Sequence, residues 1–582
     1  MANIELTVVF GSRRMTVDCP EEENLLESLR GRNIYVPGVC GGTYGCGKCR
    51  VRVLEGFLEV TGGDARHLSI DELENGWRLA CLARPTQNLV IEAVRLGEEN
   101  FRAVTEYDGE FFGAPPVVID EMPFEKSAKS VTERVCGDHG EGGLTMEVLR
   151  DCSGLVEGGF KTAYIARSGG RVLHVGGTRR ALYAIAVDIG TTTLCLSLVN
   201  VVDGTVLGCL SSINDQRRYG MDVISRIMRA AQGELPVLSG LIRTQIAREA
   251  EKLCAEHGVD HGSVVKMAIA GNTVMLHLLL GLSCRTLGVY PFTPVTLSPL
   301  SLRYDDIFDG CGVDFSCQAD ILPGISTYVG ADISAGILFT DLIESERPAV
   351  LLDMGTNGEM ALSRDGMLYC AAAAAGPAFE GGNIQWGTGS VPGAISSVRF
   401  EGDVCRIDTI GGAPPVGICG SGVIDATAEC LTHGFILPNG RFERNRGGRV
   451  VLGATNAGEE IVFTQKDIRE VQLGKSAIRS GMDVLMRAAG LQYGDIGEFY
   501  VAGGFGSSVN TENGAAIGLF PAELSGKMRA VGNSALGGLV KYLLDDSAPK
   551  VLDAITRNAK EFSLSEDKSF NRMFIDNMSF VL

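Results

Sequence analysis

The sequence predicts a multidomain α/β protein: a small cysteine-bearing N-terminal domain, a small α/β middle domain, and a large C-terminal domain of two related lobes. Three observations carry that reading. Cys40, Cys46 and Cys49 crowd into one glycine-rich loop, with Cys81 beyond it. A strand–turn–strand device at Asp188 returns 165 residues later at Asp353. And 582 residues exceed what one hydrophobic core organises, which leaves room for about three or four domains.

Composition narrows the class. A formal net charge of −19 excludes a general nucleic-acid or acidic-membrane partner. Seventeen cysteines, an odd number scattered widely beyond the first four, form no disulfide framework and point to a reducing intracellular compartment. The start, Met1-Ala2-Asn3-Ile4-Glu5, has no basic region followed by an apolar core, so no secretory signal is expected. The most apolar stretch, Met267 to Leu282, is broken by Asn272, Thr273 and His277 and is shorter than a membrane span. The expectation is a soluble, cytoplasmic protein.

In chain order, residues 1–95 form the first domain. Ile4, Leu6, Val8 and Phe10 alternate, then Met15 and Val17 follow Gly11-Ser12, which is a hairpin signal. Leu25, Leu26 and Leu29 lie on one face of a short helix opening after the acidic Glu21–Glu23 turn. The cysteine loop comes next, then strands at Arg50 to Leu54 and Leu89 to Val94. Five residues separate Cys40 from Cys46, two separate Cys46 from Cys49, and 31 precede Cys81. Three thiolates on one glycine-rich loop plus a distant fourth suit a [2Fe–2S] cluster. A zinc site favours two short cysteine pairs, and only one is present here.

Residues 96–116, with Glu98-Glu99 and Gly113-Ala-Pro-Pro116, read as a linker. Residues 117–180 alternate short apolar runs with glycine breaks and read as a small α/β middle domain without assignable chemistry. From 181 to 582 the pattern changes. Ala184 to Val187 is a buried strand, Asp188-Ile-Gly190-Thr191-Thr192-Thr193 a tight turn, and Leu194 to Val199 a second strand reaching Asp203-Gly204. The second copy runs Val350 to Leu352, Asp353-Met-Gly355-Thr356-Asn357-Gly358, then a strand from Glu359 to the turn at Asp365-Gly366. Each copy is followed by a strand ending in Ala-Gly, at Gly271 and at Gly503-Gly504-Phe-Gly506. Such self-similarity means two related lobes. Glycine amides and threonine hydroxyls at Gly190–Thr193 and Gly355–Gly358 can hold phosphate oxygens, and Asp188 and Asp353 can hold Mg²⁺ or orient a water. Gly503, Gly504 and Gly506 let a flat base and ribose lie against backbone.

The first domain resembles the β-grasp ferredoxins, and its longer first cysteine gap looks like the adrenodoxin-like branch. The lobes resemble the acetate and sugar kinase, Hsp70 and actin superfamily, which binds ATP between two lobes. Further stretches are similar to the reductive activators of corrinoid proteins. They include Tyr219 to Arg226, Gly271 to His277, Tyr328 to Asp332, Gly376 to Gly381, Gly417 to Gly422, Asp467 to Lys475 and Gly532 to Gly537. Asn214-Asp215-Gln216 departs from that pattern, where proline is expected in the middle. The resemblance implies an ATP-dependent activator that passes one electron from the cluster to the inactive Co(II) corrinoid of a methyl-carrier protein, restoring Co(I). It implies Cys40, Cys46, Cys49 and Cys81 as cluster ligands, ATP and Mg²⁺ in the lobes, and an upstream low-potential donor. The corrinoid partner would be a methyltransferase subunit or a corrinoid iron–sulfur protein, and a homodimer through the C-terminal domain is admitted. The rival readings are a metabolite kinase with a ferredoxin-like appendage and an electron-transfer module without ATP coupling.

Other cysteine patterns carry less. Cys254-x2-His257-x3-His261 has metal-like spacing but sits at a polar helix end. Cys311 and Cys317 lack nearby ligands. Cys419 reads as a small residue in a tight turn, and Ala371 to Ala375 as a packed element.

Overall fold

The computed structural model describes residues 3–10, 13–32, 34, 36, 47, 49–93, 107, 117–125, 129–136, 145–168, 171–456, 458–503 and 509–580. Cys40, Cys46, Gly504, Gly506 and all of the expected linker except Tyr107 lie outside the described residues. The chain divides into two compact units. One joins Met1–Phe101 with Ile213–Ile242 and His277–Thr293, and the other comprises Arg102–Ser212, Arg243–Leu276 and Pro294–Leu582.

In the first unit a five-stranded sheet runs in the order Arg13–Pro20, Asn3–Phe10, Leu89–Ala93, Arg50–Glu55, Trp77–Leu79. Asn3–Phe10 and Leu89–Ala93 pair in parallel, the central feature of a β-grasp sheet. Alternation puts Ile4, Leu6 and Val8 into the core, where the helix Leu25–Gly31 adds Leu25, Leu26 and Leu29. Asn24 starts that helix. Its side-chain oxygen accepts from the Leu26 and Glu27 amides at 3.1 and 3.3 Å, while its own amide donates to the Cys81 carbonyl at 2.6 Å. One residue thus caps a helix and fastens the distant cysteine segment. The structure adds helices Asp64–His67 and Ile70–Glu74 and the strand Trp77–Leu79 to the sequence reading. They are too short for a periodic signal, although Ser69 and Glu72 form a capping box that the sequence spells out.

The second unit opens with a three-stranded sheet, Val118–Pro123, Thr162–Ser168 and Arg171–Gly176, covered by helices Val131–Cys136 and Met146–Glu157. Two six-stranded sheets follow, and they share a plan. Tyr183–Ile189 is antiparallel to Thr193–Asn200 and parallel to Val264–Gly271. Likewise Ala349–Met354 is antiparallel to Gly358–Arg364 and parallel to Glu498–Gly503. The repeat read from the sequence is therefore a duplicated sheet, and each Asp-x-Gly turn lies where a central strand hands over to its hairpin partner. Asp365 and Gly366, both at positive φ (50° and 75°), form the tight hairpin turn that Asp-Gly encodes.

Two helices connect the sheets. Ala331–Phe339 leads toward Ala349–Met354, and Ser534–Leu544 follows Met528–Gly532 of the second sheet yet packs on Tyr183–Ile189 and Val264–Gly271 of the first. The two helices pack backbone to backbone. A Cβ on Gly538 would stand 2.0 Å from the Ala335 carbonyl oxygen, and one on Gly336 would stand 2.8 Å from Ser534 Oγ. Among the described residues no helix is long and apolar enough to cross a membrane.

Glycine to alanine inside a helix ordinarily gains about 0.5–1 kcal/mol. At Gly538 the clash with a backbone oxygen outweighs that gain, and an overpacking cost of about 1–3 kcal/mol is expected. Gly538→Ala should therefore lower the denaturant midpoint of the lobes, followed by circular dichroism; an unchanged or higher midpoint would contradict this packing.

Candidate functional site

The two described cysteines of the quartet come together. Cys49 and Cys81 are both buried, and the Cys81 amide donates to Cys49 Sγ at 3.5 Å. The Ala80 amide bonds the Cys49 carbonyl at 2.7 Å, which locks the two segments side by side. Arg50 braces the loop end: its guanidinium donates to the Gly47 and His67 carbonyls, each at 3.1 Å, and pairs with Glu72. Buried thiols with an amide aimed at a ligand sulfur suit an iron–sulfur cluster, whose sulfurs accept such bonds. The donor set fits, and Cys49 and Cys81 would hold the group together with Cys40 and Cys46, which lie outside the described residues. Asn24 and Arg50 have no motif of their own, so their contacts leave no signal in the sequence.

The second site is built by the duplicated strand ends. Asp188 stands near the end of Tyr183–Ile189 and Asp353 near the end of Ala349–Met354. Both meet the start of the Ser534–Leu544 helix. The Asn533 side-chain amide donates to Asp188 Oδ2 at 2.9 Å, while its oxygen caps the helix through the Leu536 amide at 2.8 Å. The next residue, Ser534, lies beside Asp353, where its hydroxyl draws the carboxyl's pKa down without closing a hydrogen bond of ordinary geometry. Three further carboxylates surround the pair: Asp332 at the start of Ala331–Phe339, Glu359 in Gly358–Arg364, and Glu380.

The expected phosphate-binding turns are held by polar contacts. Thr191 Oγ1 accepts from the Asn272 amide at 3.0 Å, just past the end of Val264–Gly271. Gly355 N–H closes on the Asn357 carbonyl at 2.9 Å, Asn357 donates to Glu359 at 3.1 Å, and Thr356 donates to Glu380 at 2.7 Å. Gly190, Thr192, Thr193 and Gly358 belong to the same two turns. Gly503 has φ 99°, and a Cβ there would meet the Met354 carbonyl at 2.4 Å and Asp353 Oδ1 at 3.2 Å. Only glycine lets that strand end pass so close to the aspartate.

Crowding sets the electrostatics. Burial, offset in part by Asn533, pushes Asp188 up to about 6. Burial and then the charges of Asp188 and Glu380 push Asp353 up to about 7. Burial followed by the Asp188 and Asp353 charges takes Asp332 to about 7, and burial with Asp332 and Asp353 raises Glu359 well above its ordinary value. Such a set calls for a cation or a proton. Among the described residues no three ligating side chains stand close enough to form a ready metal cage. Mg²⁺ needs none, since it binds through one or two carboxylates plus phosphate oxygens and waters. Asp188 and Asp353 therefore fit that role. Cys419 is buried, its thiol on the Ile395 carbonyl at 3.3 Å, and is a packing residue.

Comparison with known proteins agrees with this layout. Residues 9–86 match the 2Fe-2S iron-sulfur cluster binding domain family, residues 183–345 the RACo middle region, and residues 347–581 the C-terminal domain of RACo, the ASKHA domain. The match to the RACo middle region spans the first six-stranded sheet. The corrinoid activation enzyme RamQ of Eubacterium limosum is 31% identical over 451 residues, covering 72% of this chain and 75% of the relative. The [Co(II) methylated amine-specific corrinoid protein] reductase of Methanosarcina barkeri is 27% identical over 434 residues, covering 69% and 77%. A solved structure, a reductive activator for corrinoid, iron-sulfur protein, superposes with a TM-score of 0.73 at 30% identity, covering 99% of this chain and 98% of that one.

The raised carboxylates have a consequence for stability. Asp353 titrates near 7 when folded and near 3.9 when unfolded, so the folded state keeps a proton that the unfolded chain has lost. Stability therefore falls as pH rises from about 4 to 7. Asp353→Asn removes that loss. Without nucleotide or Mg²⁺, Asp353→Asn should unfold a few degrees above wild type at pH 8, with the difference closing toward pH 4. A lower unfolding temperature for the variant at pH 8 would contradict the electrostatics.

Proposed function

Because the chain belongs to the reductive activators of corrinoid proteins, we propose that it uses ATP to return one electron to the inactive Co(II) corrinoid of a methyl-carrier protein, restoring Co(I). The observation that carries the ATP half is the meeting of both Asp-x-Gly turns, one from each duplicated sheet, at the start of a single helix. The cluster half rests on the buried Cys49–Cys81 pair and its family match.

A [2Fe–2S] cluster would supply one-electron chemistry here, refilled by a low-potential donor; Cys40, Cys46, Cys49 and Cys81 would hold it, and Asn24 and Arg50 fix the two segments that carry Cys81 and Cys49. Plant-type clusters sit near about −400 mV, and the corrinoid couple is expected to lie lower. Each 100 mV uphill for one electron costs about 2.3 kcal/mol, so the cluster alone would leave little Co(I).

In the lobes, the Gly190–Thr193 and Gly355–Gly358 turns would hold the phosphates, and Gly503 would lie on the adenosine side, with Gly504 and Gly506, which lie outside the described residues, assigned there by the family resemblance. Asp188 and Asp353, both raised by burial, are placed to hold Mg²⁺ or to orient the attacking water. Asn533 orients Asp188, and Ser534 lies beside Asp353. Strand ends from both sheets contribute, so nucleotide binding and the arrangement of the lobes are one equilibrium.

The test mixes reduced protein, Mg²⁺·ATP and an oxidised corrinoid protein without oxygen and follows the Co(II) absorption band. Its decay with growth of Co(I), at least tenfold faster with ATP than with no nucleotide, is expected. Equal rates without nucleotide would remove ATP from the reaction, and phosphorylation of a small acceptor would favour the kinase reading.

A further inference from the structure

Tyr107 is set apart from the chemistry in sequence but not in space. It belongs to the segment between the cysteine-bearing domain and the lobes, fourteen residues beyond Ala93, which is a covalent reach of at most about 50 Å. Its backbone forms an isolated antiparallel bridge with Gly532. Gly532 ends the strand Met528–Gly532 and immediately precedes Asn533 and Ser534, the two residues that face Asp188 and Asp353. The Tyr107 ring meets the ring of Phe339 edge to face, centroids 6.0 Å apart, on the last turn of Ala331–Phe339. Its hydroxyl is hydrogen-bonded to Ser197, whose Oγ also lies 2.9 Å from Cys209 Sγ. Ser197 sits on Thr193–Asn200, the strand that leaves the first Asp-x-Gly turn.

One residue thus touches three parts of the nucleotide site's frame: its backbone meets the strand end just before the second connecting helix, its ring the end of the first, and its hydroxyl the first hairpin. Tyrosine suits this place, with a rigid apolar ring for Phe339 and a polar tip for Ser197. Burial pushes its phenol up to about 12, so it stays a neutral hydrogen-bonding group at working pH.

We propose that Tyr107 is a positioning residue of the nucleotide site: by pinning Gly532 and bracing Phe339 it holds Asn533 and Ser534 on the two aspartates, and so ties nucleotide turnover to the segment that leads to the cluster domain. The proposal rests on the nucleotide-site reading above. Because linkage is reciprocal, whatever nucleotide does to the Gly532–Ser534 turn is felt at Tyr107.

The experiment uses the full chain as wild type, Tyr107→Ala and Tyr107→Phe, with cluster absorption, binding of a non-hydrolysable ATP analogue, and ATP turnover measured for each. Tyr107→Ala should keep its cluster spectrum and bind the analogue within about threefold of wild type, but lose at least tenfold in kcat with little change in KM. Tyr107→Phe keeps the ring and the backbone bridge and should recover turnover to within about threefold. In wild type, the analogue should also slow amide hydrogen exchange in the peptide containing Tyr107, a readout that does not require the variant to fold. Wild-type kcat in Tyr107→Ala, or exchange at Tyr107 indifferent to bound analogue, would overturn the proposal alone. Failure of the wild-type chain to bind or hydrolyse ATP would overturn it together with the nucleotide-site reading.

Discussion

The contact on which the rest depends is the start of one helix between two carboxylates. Asn533 donates to Asp188 and Ser534 faces Asp353, so neighbouring residues serve two aspartates that come from different sheets. Isolated, each aspartate would end a duplicated strand without a common site. Held by one helix start, they share an electrostatic fate: both are raised in pKa, and Asp353 is raised further by Asp188 itself. A site that stores repulsion in this way is stabilised by whatever brings positive charge, as a divalent cation would. The Gly336 and Gly538 contacts belong to the same constraint, because they bring the two connecting helices close enough for the helix start to reach both sheets.

What the sequence made legible follows from the physics of its signals. The cysteine quartet was readable because cluster ligation fixes residue type and spacing together, and the duplicated Asp-x-Gly-Thr turns because a repeat compares the chain with itself. Alternation at Ile4, Leu6 and Val8 and the Leu25–Leu29 face gave the first domain its sheet and helix. Asp332, Glu359 and Glu380 were not assigned, since a lone acidic residue has no pattern until folding gathers five of them. Asn533 lies in the family-like stretch Gly532 to Gly537, but its two roles, cap and aspartate partner, exist only in three dimensions. Asn24 is the same case at the other site, capping a helix while holding the Cys81 carbonyl. The short helices Asp64–His67 and Ile70–Glu74 escaped because five residues cannot show a 3.6-residue period.

The two sites differ in how they use burial. Around Cys49 and Cys81 it excludes water from thiols that would share a delocalised charge, and an amide compensates the sulfur. Around Asp188 and Asp353 it is only partly offset, by Asn533 and Ser534, and both carboxyls stay raised. That asymmetry suits the proposed division of labour, in which one domain would carry an electron and the lobes would be completed by nucleotide.

The central claim is that Asn533 and Ser534 make one site from two aspartates, and a double-mutant cycle on ATP turnover tests it most directly. Asn533→Ala and Ser534→Ala should each reduce turnover about tenfold or more, and the double variant should lose less than the product of the two. An interaction energy of at least about 0.5 kcal/mol is the expected result. Turnover close to wild type in the single variants, or losses that simply multiply, would contradict it.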